Sequence, residues 1–528
     1  MVIARTAVRQ FLNRTLRDSK KIKSIPRAEL KRRIRKLEPI PFFYTLPFKH
    51  QRACFLLGVK HPKYVMLLDM GLGKTKVMLD LHRWRIRQKK ARRMLVLVPN
   101  VSNVTEWAEQ VPIHQPKLTF AGLSENVDAA ERREMVEGDA QVTVMTYAGL
   151  LRFVCKSVVV SEDEEDEERK WVLDRKLCRE FAKRFDTLVL DESTFARTHT
   201  TLFSRAIRAI RKNCIYRYAL TGTPFGNDPE ALWNQFFLVD DGDTLGPTLG
   251  LFRAAFFREI EDYWSSGYKY VFRKRMRRDL HRMLRHGSIR YSEAECNDLP
   301  KRVPILSPVI FPQETWAYHK RIQEELSEAG RSYKLRENAW HRSRQITAGF
   351  LGVRDPEGTD VEIVFKHNPK LDSLISRLQR INDRRKVVVF NEYRKSGDII
   401  EARLKKERIK FVRVYGGSKR KKENILRFKT DSSVKVLLIN SQSGAFGLNL
   451  QAANYVIFFE SPTCPIIRRQ AEKRCHRTGQ KRKVFIIDLV VKGSIDERIL
   501  KSIAKGKDLF KTLVEGKYKR KVKHGRNK

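Results

Sequence analysis

Three groups of residues in this chain have the types and spacing for chemistry on a phosphate. The first is Val65-Met-Leu-Leu-Asp-Met-Gly71-Leu-Gly73-Lys74-Thr75. Gly71 and Gly73 allow a tight turn whose backbone N–H groups close on a phosphate. Lys74 would then reach the β and γ phosphates of ATP, and the Thr75 hydroxyl would ligate Mg2+. Leu68 stands where the full phosphate-loop pattern has its first glycine. The second group is the adjacent carboxylate pair Asp191-Glu192. Asp191 suits Mg2+ held through water, and Glu192 suits orienting and deprotonating an attacking water. The third is Arg474 and Arg477. On one helical turn, three residues apart, they would face the same way and stabilise charge on a γ-phosphate. Upstream of all three, Gln51 has an amide able to read adenine, accepting from N6 and donating to N7.

These groups need elements to hold them. Val65–Leu68 predicts a buried strand, and Thr75–Arg85 a helix whose N-terminus points at the same phosphate. Arg52–Val59 reads as an amphipathic helix, Met94–Val98 as a short strand ended by Pro99, and Val101–Gln110 as a helix. Gln141–Tyr147 is another strand, and Leu188–Leu190 a core strand that delivers Asp191 and Glu192 to its C-terminal end. This cadence predicts an α/β fold with a parallel doubly wound sheet, so residues at strand ends, such as Thr146, line the ligand edge. Thr221 and Thr223, in Leu220-Thr-Gly-Thr-Pro224, would connect the γ-phosphate site to whatever the protein grips.

The later half repeats the alternation, with strands at Arg385–Asn391, Phe411–Tyr415, Val434–Asn440 and Tyr455–Phe459. It has no phosphate loop of its own. A second sheet is therefore expected to contribute cations to a site whose phosphates the first one holds.

Length and charge bound the class. At 528 residues the chain is too long for one core, and Lys plus Arg exceed Asp plus Glu by 47. That field favours a polyanion, and nucleic acid is the expected partner. No apolar run is long enough to cross a bilayer, and Met1–Lys36 lacks the apolar core of a signal peptide. The expectation is a soluble intracellular protein of a bacterium or virus-infected host cell, with the nucleus as the alternative. The seven cysteines form no C-x-x-C pair, so neither zinc nor a disulfide framework is indicated. Ser161–Glu168 is an acidic run, expected as a solvated inserted loop, and Tyr270–Arg290 reads as a very basic helical stretch.

The order Gln51, GLGKT, LVLVP, TY, DEST, LTGTP resembles the first RecA-like lobe of superfamily-two helicases. Asn227-Asp-Pro-Glu-Ala-Leu-Trp233 resembles the Swi/Snf branch, and Gln470–Gln480 its QAxxRxHRxGQ motif. Ser443–Leu450 is similar to the motif whose turn and hydroxyls touch nucleic-acid phosphates, which implies such contacts for Ser443, Gly447 and Asn449. Ala445, the Trp-less Ser461-Pro-Thr-Cys-Pro and the DEST form of the carboxylate motif depart from the family pattern without removing a catalytic group.

The resemblance implies two RecA-like lobes with helical insertions between them. The corresponding division is a basic extension over 1–45, the ATP-binding lobe over 46–240, helical protrusions and a linker over 241–370, the second lobe over 371–505, and a basic tail over 506–528. The extension reads equally as an arm on a phosphate backbone or as a solvated helical segment. The implied activity is ATP-dependent translocation on double-stranded DNA, in replication, recombination or repair. A strand-separating DNA or RNA helicase and a non-catalytic nucleic-acid-binding protein are the alternatives.

Overall fold

The computed structural model describes residues 43–123, 128–161, 168–226, 228–262, 267–296, 300–328, 333–354, 360–416, 420–441, 450–476 and 480–513. It divides into two compact units. The first runs through Arg258 and resumes at Tyr270–Cys296, and the second takes Glu259–Lys269 and Asn297–Lys507.

The first unit is built on a seven-stranded sheet. Helix α1 (Lys49–Lys60) leads into β1 (Lys63–Leu68), which is followed by α2 (Lys74–Arg87). Then come β2 (Met94–Val98), α3 (Val101–His114), β3 (Phe120–Gly122), β4 (Val142–Thr146) and α4 (Tyr147–Val154). The unit is completed by β5 (Thr187–Asp191), β6 (Tyr216–Leu220), α5 (Ala231–Asp240), α6 (Arg277–Gly287) and β7 (Ser288–Tyr291). The strand order is β7-β1-β6-β5-β2-β4-β3, and every neighbouring pair is parallel. Parallel strands are covered by helices on both faces, which explains the unbroken apolar runs. Val65 and Leu67 of β1 join the core beneath α4, α5 and α6, while Met66 and Leu68 join the core beneath α1, α2 and α3.

The second unit carries a six-stranded sheet. Its strands are β8 (Arg302–Val309), β9 (Lys386–Asn391), β10 (Phe411–Val414), β11 (Val436–Asn440), β12 (Ala453–Phe458) and β13 (Val484–Val491). Helix α7 (Pro465–Cys475) follows β12. The order β8-β13-β12-β9-β11-β10 is again parallel throughout. Edge strand β8 contains Pro304 and Pro308. Its Lys301 and Val309 carbonyls accept N–H groups from the β13 side, so the odd-numbered residues face the ladder and both prolines face away from it.

Several local expectations change. Tyr270–Arg290 is α-helical over Arg277–Gly287, preceded by a 3-10 turn at Lys274–Met276; Gly267–Phe272 is a strand, and Ser288–Tyr291 is edge strand β7. The aromatic residues around Tyr268–Phe272 favour extended backbone, and β7 pairs with β1, a tertiary contact that local charge does not encode. The region 241–370 thus holds helices and also supplies one strand to each large sheet. The acidic run sits at the end of an antiparallel hairpin, Cys155–Ser161 with Glu168–Leu173, and residues 162–167 lie outside the described set. Helix α7 ends at Cys475 with His476 at its C-cap, and Arg477, the second residue of the expected arginine pair, lies outside the described residues.

Candidate functional site: the phosphate loop and its carboxylates

The site of the first unit lies at the C-terminal ends of β1, β5 and β6. Beyond Leu68 the chain turns through Gly71 at φ 82° and Gly73 at φ 73°, left-handed conformations in which glycine carries no steric cost. Gly73 is the N-cap of α2, so the helix begins at Lys74 with its free N–H groups at the turn. A Cβ on Gly73 would sit 2.2 Å from Gln51 Nε2. The backbone angle favours glycine here, and any Cβ would have to displace the Gln51 amide from its place under the loop.

Gln51 is buried under this loop. Its Nε2 donates to the Leu72 carbonyl at 3.1 Å and its Oε1 accepts the Phe48 N–H at 2.9 Å. A primary amide has a second hydrogen and a second lone pair, so this bracing leaves capacity for a base. His50 Nε2 also lies 2.9 Å from the Leu72 carbonyl, and burial lowers its pKa.

Strand β5 delivers the carboxylates. Glu192 follows it at φ 45° and ψ 55°, a left-handed conformation that costs a non-glycine residue roughly 1–3 kcal/mol. With that turn, Glu192 Oε1 accepts from Lys74 Nζ at 3.1 Å, and Glu192 Oε2 accepts from the Thr221 hydroxyl at 3.3 Å. Thr221 Oγ1 in turn accepts the Thr223 N–H at 3.1 Å. One carboxylate thus joins the phosphate loop to the Thr-Gly-Thr-Pro turn. Gly222 fits between them because an added Cβ would meet the Leu68 carbonyl at 2.9 Å.

Asp191 is held differently. Its Oδ2 accepts the Trp107 indole N–H at 2.9 Å, its Oδ1 accepts the Glu192 N–H at 3.0 Å, and its carbonyl accepts the Tyr147 hydroxyl at 2.9 Å. Burial pushes its pKa up to about 6, against the pull of Lys74 and the Trp107 hydrogen bond and with the push of Glu192. Burial beside the same two carboxylates raises the Tyr147 phenol well above its usual value. A divalent cation would favour the ionised form of Asp191. Thr75, half-buried in the first turn of α2, adds a hydroxyl oxygen. These hard oxygen donors fit Mg2+, which keeps most of its own waters and so needs few protein ligands. No cluster of three or more His, Cys, Asp or Glu able to hold a metal occurs among the described residues.

The structure therefore brings together Gly71, Gly73, Lys74, Thr75, Asp191, Glu192 and Gln51 within one unit. Thr146 caps α4, its Oγ1 accepting the Gly149 N–H at 2.9 Å, which leaves its own O–H free to donate. Thr223 is buried. Arg474 lies in the last turn of α7, 6% exposed, and its carbonyl accepts the Leu450 N–H. Arg477, Ser443, Gly447 and Asn449 lie outside the described residues.

Four contributors were given no role in the site from the sequence. Trp107 and Tyr147 support Asp191 from α3 and α4, and Gln235 of α5 accepts from the Ser193 hydroxyl at 2.8 Å and donates to the Pro224 carbonyl. Arg290, at the end of the stretch read as a very basic helix, donates to Asp69 Oδ1 at 2.8 Å and to the Leu67 carbonyl at 2.9 Å, at the root of the phosphate loop.

Residues 49–350 match the family model described as SNF2-related domain, and residues 369–479 match the helicase conserved C-terminal domain. The first match alone covers more than half of the chain. The chain belongs to the SNF2-related family. It carries the SNF2-related and helicase C-terminal domains of helicase superfamily two, on two parallel-sheet α/β lobes. An uncharacterized ATP-dependent helicase of Mycoplasma genitalium is 26% identical over 466 residues, 85% of this chain and 40% of that protein. The ISWI chromatin-remodeling complex ATPase of Saccharomyces cerevisiae is 24% identical over 483 residues, 86% of this chain and 39% of that protein. This SNF2-related chain thus spans about two-fifths of the length of those relatives. Among solved structures, the SWI2/SNF2 ATPase core of Sulfolobus solfataricus in complex with dsDNA is 22% identical, covering 91% of this chain and 95% of that one, at a TM-score of 0.39. No helix among the described residues is long and apolar enough to cross a membrane.

Proposed function

We propose that this SNF2-related ATPase couples ATP hydrolysis to movement along double-stranded DNA. The observation that carries the reading is the shared carboxylate. Glu192 bonds Lys74 of the phosphate loop through one oxygen and Thr221 of the Thr-Gly-Thr-Pro turn through the other. A change in how Lys74 is engaged at a triphosphate is then felt by Glu192 and passed to the Thr221 turn.

In this reading the backbone of Gly71–Lys74 and the Lys74 ammonium bind and orient the phosphates. Gln51 braces the loop and presents its remaining amide capacity to adenine. Glu192 takes the proton of the attacking water, a role worth typically 10²- to 10⁴-fold. Asp191 and Thr75 would hold Mg2+, which supplies neutralisation of phosphate charge when bound. Arg474 and Arg477 act as transition-state cations, and Thr146, Ser443, Gly447 and Asn449 belong to the grip on nucleic acid. The net charge of +47 supports a polyanionic track. Contacts to phosphate rather than to base edges make such a track sequence-tolerant. What the site supports is this biochemical activity, not a place in replication, recombination or repair.

The test is steady-state ATP hydrolysis with duplex DNA, single-stranded DNA and RNA, followed by displacement of a third strand from a triplex. Stimulation by duplex together with ATP-dependent triplex displacement is the expected result. Opening of a forked substrate without triplex displacement would replace translocation with strand separation. Absence of any stimulated hydrolysis would overturn the reading altogether.

A further inference from the structure

In a parallel sheet every helix-to-strand connection lies at the edge opposite the strand-to-helix connections. In the first unit the phosphate loop, Asp191-Glu192 and the Thr221 turn all occupy the strand-to-helix edge. The opposite edge, one strand length or roughly 17–20 Å away, takes no part in that site.

That far edge is basic. Exposed Lys60 precedes β1, Lys89, Lys90 and Arg92 precede β2, Lys212 precedes β6, and Arg285 precedes β7. Three of the carboxylates there are engaged, while Asp139 and Asp243 are exposed and offset part of the charge. Asp241 alone meets Lys63 at 3.0 Å, Arg211 at 2.9 Å and Arg217, and these partners hold its pKa below the usual carboxylate range despite partial burial. Asp186 accepts the backbone N–H groups of Arg92 and Arg93, and Glu137 pairs with Arg184. Positive charge is left over along the whole row.

The row also has a length. From β7 through β1, β6 and β5 to β2 is four strand spacings, about 19 Å. Duplex DNA carries one phosphate charge per roughly 1.7 Å of axis, so such a span faces on the order of ten charges. Cations strung along an edge suit a repeating anion better than a single small phosphate ligand.

We propose that the helix-to-strand edge of the first unit is a second nucleic-acid surface, binding the phosphate backbone of a duplex segment away from the ATP edge. The inference rests on the nucleic-acid partner proposed above. It assigns the excess charge of this lobe to holding DNA and leaves hydrolysis to the opposite edge.

The experiment compares the wild-type chain with the triple substitution Lys89→Glu, Arg92→Glu, Lys212→Glu, using anisotropy of a labelled 30-base-pair duplex across a potassium chloride series (duplex length about three helical turns). The variant is expected to lose at least about tenfold in affinity at low salt. Its log–log salt slope should flatten by roughly 2–3, while its ATP hydrolysis without DNA stays at the wild-type rate. Unchanged affinity and slope would overturn the proposal. Acetylation of lysines on the wild-type chain, with and without duplex and read by mass spectrometry, decides the matter without a variant. Protection of Lys60, Lys89 and Lys212 supports the surface, and equal labelling with and without duplex rejects it. If wild-type hydrolysis were not stimulated by any nucleic acid, the translocase reading would fall, yet protection at this edge would still be read independently.

Discussion

Lys74 Nζ and Glu192 Oε1 stand 3.1 Å apart, both largely buried, one at the start of α2 and the other just past β5. The pair places the cation for the phosphates and the base for the water in direct contact, with Thr221 on the other carboxylate oxygen. Such a pair is sensitive to loss of either partner, because a lone buried charge is costly.

Glu192→Gln keeps the shape and removes the base. It is expected to lower ATP turnover by about 10²- to 10⁴-fold while ATP binding persists. Lys74→Ala is expected to weaken ATP binding itself. Isothermal titration with ATP alongside phosphate-release kinetics checks both, and equal turnover in the glutamine variant would remove Glu192 from its role.

Asp191 gives a pH dependence. Its folded pKa, about 6, stands above the ordinary value of 3.8 because burial penalises the charge. The sign follows: the folded state prefers the protonated acid, so stability from this group is full below about 4 and falls as pH rises through about 6. Asp191→Asn should therefore raise the melting temperature at pH 8 and give little gain at pH 4, while hydrolysis is lost. Calorimetry at the two pH values tests this, and a gain that grows toward acid would contradict it.

Trp107→Phe removes one donor to Asp191 and leaves the ring. Since that hydrogen bond lowers the carboxyl pKa, its loss should push the pKa higher and move the acid limb of the hydrolysis profile to higher pH. Near pH 8 the rate should be close to wild type. A profile that keeps its acid limb in place would show that the indole only fills space.

Gly73→Ala meets two obstacles, a φ of 73° and an approach of 2.2 Å between the new Cβ and Gln51 Nε2. The loop and its brace cannot both keep their places, so nucleotide affinity is expected to fall by at least about tenfold. Gln51→Ala in the same background relieves the clash and should restore part of it. No restoration would mean that backbone strain alone accounts for the loss.

Arg290→Ala removes the guanidinium that ties Asp69 and the Leu67 carbonyl beneath the loop. Asp69 is buried, so losing this guanidinium partner is expected to destabilise the fold, by up to about 3–5 kcal/mol, with a lower melting temperature and weaker ATP binding. Asp69→Asn in the same background should recover stability. A double variant no better than the single one would place the effect elsewhere.

The nucleotide edge was legible in the chain because its chemistry is local. Glycine angles, a lysine at a helix start and carboxylates at a strand end are consecutive residues, and apolar runs bounded by turns name the parallel strands that carry them. What the chain order could not express was contact between distant segments. Arg290 reaches Asp69 only because β7 pairs with β1, and Trp107 reaches Asp191 only because α3 crosses the sheet. The left-handed turn at Glu192 and the shared hydrogen bonding of its carboxylate are likewise set by neighbours remote in sequence. Residue type and local spacing determined which groups can do chemistry on ATP. Only packing decided which of them meet, because a side chain's partners are chosen by strand order and helix placement in three dimensions.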